Sequence, residues 1–351
     1  MIAPQSVVLQ IAFMPKPSTK SAVTSADVAR LAKVSQSAVS RTFTRGASVS
    51  DETRKRVTDA AQVLGYRPNA LARSLISGKS GIIGVLVAYL DNQFYPTIIE
   101  KLSRRLSERG YRVLLFMSDP GDQTAVVQDM LQYQVEGVVM ASAHLSSLLA
   151  QECADNGIPV VLFNRYMASS PANSVTSDNL EGGRLLAHFL VDGEHERIAY
   201  IAGYEDSSTN RDREAGFYKG LAERGAVCHS RAVGSYTQNG AAQAARDLFE
   251  ADDPPDAVFV ANDHMAFAVM DVLRQELGLS IPGDVSVVGY DDVPQAAWQA
   301  YDLTTVEQPS DAMIDATISI LLDQVEGDGK EKRAAVMPAR LVVRGSARLP
   351  R

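Results

Sequence analysis

Two sets of residues in this 351-residue chain have types and spacings that can do chemistry. The first is Gln36, Ser37, Ser40 and Arg41, directly behind Ser35. On one helix capped by Ser35, with Val39 turned inward, they form a polar outer face. Gln pairs bidentately with adenine and Arg with guanine, while Ser contacts bases or phosphate. The second set lies downstream: Asp91, Asn92, Gln93, Phe94 and Tyr95; Asn164 and Arg165; a run ending at Arg213; Tyr236 and Gln238; Asn262 and Asp263; Asp291 and Asp292. Aromatic faces for one side of a ring, with planar amide, carboxylate and guanidinium groups for hydroxyl pairs, suit a small polar ligand such as a sugar.

The elements around the first set have a definite order. Thr24 is an N-cap that Asp27 completes as a capping box. Val28 and Leu31 share a face, with Ala29 and Ala32 allowing close helix approach. The turn Lys33–Val34 then leads to Ser35 and the second helix. A third helix starts at Ser50 with Asp51 and Glu52 at its positive end, carries the stripe Val57, Ala60, Ala61 and Leu64, and stops at Gly65 before Pro68. This is the helix-turn-helix order, whose second helix enters a duplex major groove. Residues 16–80 hold 12 Lys/Arg against 4 Asp/Glu, a balance of +8 in a chain of net charge −8. The remainder carries −16, so the N-terminal lobe is a basic footprint for phosphate backbone, with Lys33 and Lys55 as candidate phosphate contacts.

From residue 81 onward, apolar runs at 81–88, 111–118, 135–142 and 159–163 alternate with helical stretches. A second series follows at 197–203, 226–233, 257–261 and 285–289. This predicts an α/β sensor of two doubly wound, parallel-sheet lobes preceded by an all-α DNA-binding domain. Ligands bind off the carboxyl ends of such strands, where the second residue set falls.

The stretches ValSerGlnSerAlaValSerArg (34–41) and AsnAlaLeuAlaArgSerLeu (69–75), followed by AlaAsnAspHisMetAla (261–266), ValGlyTyrAspAsp (288–292) and LeuThrThrVal (303–306), resemble the lactose-repressor/galactose-repressor family of bacterial transcription regulators. The resemblance covers essentially everything after residue 23. It implies periplasmic-binding-protein-like lobes, base reading by Gln36, Ser37 and Arg41, and ligand contacts from Phe94, Arg213, Tyr236, Asn262 and Asp291. Arg165 falls where the family varies. It further implies a hinge helix over 69–75, with Asn69 and Ala72, that places Leu75 as a wedge in the minor groove. Seven residues are too few for a stable isolated helix, so the hinge is expected to order only on DNA.

The resulting expectation is a cytoplasmic homodimeric repressor that binds a pseudo-palindromic operator. Thr24, Ser35, Gln36, Ser37, Ser40, Arg41, Asn69, Ala72 and Leu75 face DNA. Phe94, Tyr95, Asn164, Arg165, Arg213, Tyr236, Asn262 and Asp291 face the effector. Two arginines, Arg165 and Arg213, tilt the effector toward a sugar acid or sugar phosphate over a neutral hexose, with a purine corepressor as the alternative. The domain reading is a disordered extension over 1–22, the reader over 23–68, a hinge over 69–80 and the sensor over 81–351. Lobe 1 takes about 81–179 and 308–338; lobe 2 takes about 180–307 and 339–351.

Each residue also has a structural role open to it. Asp263 and Asp292 can cap the helices that follow, and Phe94 can belong to the core. Arg165 can pair with Asp178, Arg211 with Asp212, and Trp298 can line the cleft or an interlobe surface. His264 has no second His or Cys to form a metal set, and Cys153 and Cys228 lack metal spacing, so neither metal nor cofactor is expected. No GxGxxG, P-loop lysine or nucleophile elbow follows any strand, which argues against an enzyme. Residues 7–14 are apolar but lack the flanks of a signal peptide, and no apolar run approaches 18 residues.

Overall fold

The structure, a computed structural model, describes residues 23–43, 47–67, 79–117, 123–141, 147–167, 170, 172–327 and 331–350. The chain divides into two compact units, Met1–Ile76 and Ser77–Arg351. Residues 1–22 and the hinge positions Asn69, Ala72 and Leu75 lie outside the described residues.

The described residues of the first unit form three helices, α1 (Ser25–Ala32), α2 (Gln36–Thr42) and α3 (Asp51–Leu64). The caps are local sequence made visible. The Thr24 side chain accepts from the Asp27 amide while the Asp27 carboxylate accepts from the Thr24 amide, and Ser35 and Ser50 cap α2 and α3. Gly65 ends α3 at φ 66, a left-handed conformation that glycine adopts without a Cβ penalty. The core is small: Val28, Ala29, Ala32, Val39, Val57, Ala60 and Ala61. Leu31 departs from expectation. It is 49% exposed, because α1 turns Val28, Ala29 and Ala32 inward and leaves the next position outside.

The second unit is two six-stranded sheets. Its strands and helices are β1 (Ile82–Val87), α4 (Phe94–Glu108), β2 (Arg112–Met117), α5 (Gln123–Gln132), β3 (Gly137–Met140), α6 (Ser147–Asp155), β4 (Val160–Phe163) and β5 (Asn173–Ser177). After them come α7 (Asn179–Asp192), β6 (Ile198–Ala202), α8 (Ser208–Glu223), β7 (Ser230–Val233), α9 (Gln238–Phe249), β8 (Ala257–Val260), α10 (Asp263–Asp271), β9 (Ser286–Asp291), β10 (Thr304–Glu307), α11 (Ser310–Val325), β11 (Ala334–Met337) and β12 (Arg340–Val342). Sheet order is β11-β5-β4-β3-β1-β2 in one lobe and β12-β10-β9-β8-β6-β7 in the other. Every pairing is parallel except β10 with β12.

Central strands β3, β4, β6, β8 and β9 are buried on both faces, as continuous apolar runs require. Strand β5 has no such run, yet all five of its residues are buried. Its polar groups are met inside: Asn173 Oδ1 accepts from the Arg333 amide, and Ser177 Oγ donates to Gln308 Oε1. The chain passes between the sheets at 177–198, at 307–334 and at 337–340.

Candidate functional site

In the first unit, Gln36, Ser37, Ser40 and Arg41 are exposed on α2 while Val39 and Thr42 are buried beneath them. Four polar side chains therefore share one outward surface with Thr24 and Ser35, which are also exposed. They are not loose. Gln36 Nε2 donates to Ser25 Oγ at 2.8 Å, Arg41 Nε to Ser37 O at 3.4 Å, and the Ser35 and Ser37 hydroxyls lie 2.9 Å apart. Two further arginines have a different task. Arg54 donates to Thr42 O, and Arg56 to Ala32 O and Lys33 O, so both guanidiniums sit at carbonyl-rich helix ends. Part of the basic excess thus braces the bundle.

In the second unit, strand ends converge from both lobes on a cavity of about 20 Å³. It is lined by Tyr89, Asn92, Tyr95 and Asn164 from one lobe and Thr209, Arg213, Tyr236, Asn262 and Asp291 from the other. Six expected effector residues meet here: Tyr95, Asn164, Arg213, Tyr236, Asn262 and Asp291. Phe94 and Arg165 do not line it. Phe94 is buried against Tyr95 and Phe163 and faces a second cavity of about 550 Å³, shared with Ile98, Lys101, Val293 and Pro309. The larger void is polar in part, lined also by Asp291, Asp292, Glu307, Gln308 and Asp311. Of the expected effector residues, however, only Phe94 and Asp291 reach it, whereas six meet in the smaller one. Tyr89 and Thr209 carry no strong sequence signal; position after β1 and on the first turn of α8 is what places them.

Local backbone aims these side chains. Asn164 (φ 60), Tyr236 (φ 58) and Asp291 (φ 123) all occupy the positive-φ region that L-residues avoid. Such strain persists where the surrounding fold over-determines it, typically at ligand sites. Arg213 is 2% exposed and bonded through all three nitrogens: Nε donates to Asn179 Oδ1 (2.9 Å), one terminal nitrogen to Ala261 O (2.6 Å) and the other to Asp291 Oδ1 (3.2 Å). Its guanidinium lies 3.7 Å over the Tyr290 ring. Glycine makes this possible: a Cβ on Gly183 would come 2.2 Å from Arg213 O, and one on Gly182 2.4 Å from the Tyr290 hydroxyl.

Several alternatives are decided against expectation. Asn262, not Asp263, caps α10, accepting from the Met265 amide. Asp263 is fully buried, accepting from Thr305 Oγ1 (2.6 Å) and the Val293 amide (3.0 Å). With no cation among these partners, burial pushes its carboxyl up to about 7, and the charge on Asp291 adds to the shift. Burial also raises Asp291, opposed by Arg213, Gln308 and Asn92. Asp292 pairs with Arg344 instead of capping a helix, Asp178 caps α7, and Arg211 donates to Asp206 O while Asp212 accepts from Tyr166. His264 is buried with Asp91 at 3.7 Å, and Trp298 is 56% exposed. Among the described residues no group of His, Cys, Asp or Glu could hold a metal ion, and no helix is long and apolar enough to cross a membrane.

Comparison with known proteins fits this geometry. Residues 24–69 match "Bacterial regulatory proteins, lacI family" and residues 186–347 match "Periplasmic binding protein-like domain". The chain is 31% identical to the HTH-type transcriptional repressor PurR of Photobacterium profundum, over 92% of this chain and 98% of that protein. It is 29% identical to catabolite control protein A of Priestia megaterium, over 93% and 99%. Among solved structures, the lac repressor dimer bound to operator and the anti-inducer ONPF superposes with TM-score 0.82 at 29% identity, covering 93% of this chain and 99% of that one. The regulator CelR in complex with cellobiose superposes at 0.71 with 31% identity, over 92% and 99%. These relatives are regulators and not enzymes. The chain belongs to the lacI family of bacterial regulatory proteins, as a DNA-binding transcriptional repressor.

Proposed function

We propose that this repressor controls carbohydrate-utilisation genes and takes a neutral sugar between the lobes of its second unit. The observation that carries the effector class is the Arg213–Asp291 pair, both side chains at most 3% exposed. Its charges cancel, leaving planar N–H and carboxylate edges that suit paired ring hydroxyls better than an anion. A sugar acid would need Arg165, which is buried beside Tyr95 and Tyr89 outside the cavity lining, to swing inward. The tilt toward an anionic sugar drawn from two arginines therefore weakens.

A purine corepressor is the second reading. Tyr89, Tyr95 and Tyr236 in the lining offer stacking faces, and the PurR relatives are repressors of that name. A cavity of about 20 Å³ admits neither ligand. Small-molecule sites run to roughly 300 Å³ or more, so the lobes must part for entry, and an effector acts by its differential affinity for the open and closed forms. On the DNA side, the reading is a homodimer placing two copies of α2 in successive major grooves of a pseudo-palindromic operator, with residues 69–75 as the minor-groove hinge, acting in the cytoplasm.

Calorimetry with cellobiose, D-ribose, D-glucose, D-glucuronate and hypoxanthine tests the effector. Binding of a neutral sugar, unaltered by Arg165→Ala, is expected. Binding of hypoxanthine alone, or of glucuronate above glucose in an Arg165-dependent way, overturns it.

A further inference from the structure

We infer that Gln308 is a positioning residue that holds the cleft carboxylate of Asp291 and ties it to the segments where the chain crosses between lobes. The inference rests on the cleft being the effector site. Gln308 is 2% exposed and lies just past β10, on the second crossing. Its Nε2 donates to Asp291 Oδ1 at 2.7 Å, and its Oε1 accepts from Ser177 Oγ at 3.0 Å. Ser177 ends β5 on the first crossing, and its backbone carbonyl accepts from Asn179 Nδ2 at 3.2 Å. Asn179 Oδ1 in turn accepts from Arg213 Nε, and Arg213 returns to Asp291 Oδ1. The bonds close a buried ring: Asp291, Gln308, Ser177, Asn179, Arg213.

The atom assignments matter. Both Gln308 and Arg213 donate to Oδ1 of Asp291, and the Asn92 side chain bonds the same carboxylate. An effector hydroxyl that draws on Asp291 therefore competes with, or reorients, a carboxylate already bonded to one crossing directly and to the other through Ser177. Occupancy of the cleft is felt at both crossings without any effector contact to them.

The test needs no effector, so its failure is distinguishable from failure of the effector reading. The titration midpoint of Asp291 is followed by carboxyl-carbon NMR in the full chain, with aspartate labelled with carbon-13 at Cγ. The charged and titratable groups facing Asp291 are Arg213 on α8, Asp263 on α10, Asp292 with its Arg344 partner, and the tyrosines Tyr89, Tyr95 and Tyr290. Gln308→Met keeps the volume and removes the donor, and the Asp291 midpoint is expected to rise by about one pH unit. Ser177→Ala is expected to raise it less, in the same direction. Gln308→Glu restores the donor only when protonated, so protection from hydrogen exchange at 177–180 and 307–310, taken relative to the intrinsic rate and to the parent chain at each pH, should be lost at pH 8 and regained in acid. An unmoved Asp291 midpoint in a folded Gln308→Met overturns the assignment. A shift there with none in Ser177→Ala removes the link to the first crossing.

Discussion

The DNA reader and the effector cleft use the same side-chain chemistry in opposite surroundings. On α2, Gln36, Ser37, Ser40 and Arg41 stand in solvent on a unit whose buried core is seven small residues. In the cleft, Asn164, Arg213, Asn262 and Asp291 are each less than a tenth exposed and sit above an extensive core. The exposed set costs the fold almost nothing, because water already satisfies it. The buried set must satisfy itself: Arg213, Asn262 and Asp291 are bonded to neighbours before any ligand arrives, while Asn164 Oδ1 is buried without a hydrogen-bond partner. A reader can change its residues cheaply, whereas a cleft residue changes together with its partners.

That contrast is broken most forcefully at Arg213. Arg213→Ala leaves Asp291 buried without its cation and should destabilise the second unit by about 3–5 kcal/mol. Arg213→Met combined with Asp291→Asn should cost markedly less than the two single changes added together. Urea unfolding of the four proteins measures the coupling; strict additivity would place the pair outside the stability of the fold.

The next effect is a slope with pH. Asp263 holds its proton up to about pH 7 when folded, against 3.8 for the ordinary group. The folded chain therefore binds the extra proton across that window, and stability falls as pH rises from about 4 to about 7. The buried Asp291 carboxyl, raised as well, adds the same sign. Asp263→Asn should flatten the dependence of the urea midpoint between pH 5 and 8. An unchanged slope would show that Asp263 titrates like an exposed carboxyl.

The same contrast governs what was legible in the sequence. The reader was read almost to the residue, since capping boxes, Gly65 and the inward Val39 are local rules acting within a few positions. Leu31 escaped because sharing a face with Val28 does not say which side of that face the neighbouring helices cover. In the sensor, apolar runs marked eight strands, and the convergence of their carboxyl ends followed from parallel topology. Strand β5 was invisible, for its hydrogen-bonding partners Arg333 and Gln308 lie more than 100 residues away. Long-range pairing also hid the partners of Arg213, the burial of Asp263 and the need for Gly182 and Gly183. No local pattern encodes a contact across that separation.

Within the reader, arginines divide by task. Arg41→Ala should lose about 1–3 kcal/mol on operator with little change on random DNA, as expected for a base-reading side chain. Arg56→Ala should instead lower the unfolding temperature of the reader by releasing the carbonyls of Ala32 and Lys33, and weaken both DNAs alike. One of these charge-assisted bonds is part-buried and the other exposed, so roughly 1 kcal/mol is the expected scale. Titrating both variants against both DNAs separates the roles; an operator-selective loss from Arg56→Ala would make it a base contact.

The smallest effect concerns orientation. Gln36 donates through Nε2 to Ser25, which turns its Oε1 outward as an acceptor. An acceptor at that place selects a base presenting an amino group in the major groove, the N6 of adenine or the N4 of cytosine, over guanine and thymine. Ser25→Ala frees the amide to rotate and present either end, so affinity for the best site should fall by less than about 1 kcal/mol, the scale of one neutral exposed hydrogen bond. Selectivity at that one base pair should relax more than affinity does, because the lost bond chooses between two faces of one side chain. Binding selection from a randomised operator library, run on the parent chain and on Ser25→Ala, reads this directly. Identical base preferences in the two proteins would mean that DNA, and not Ser25, sets the orientation of Gln36.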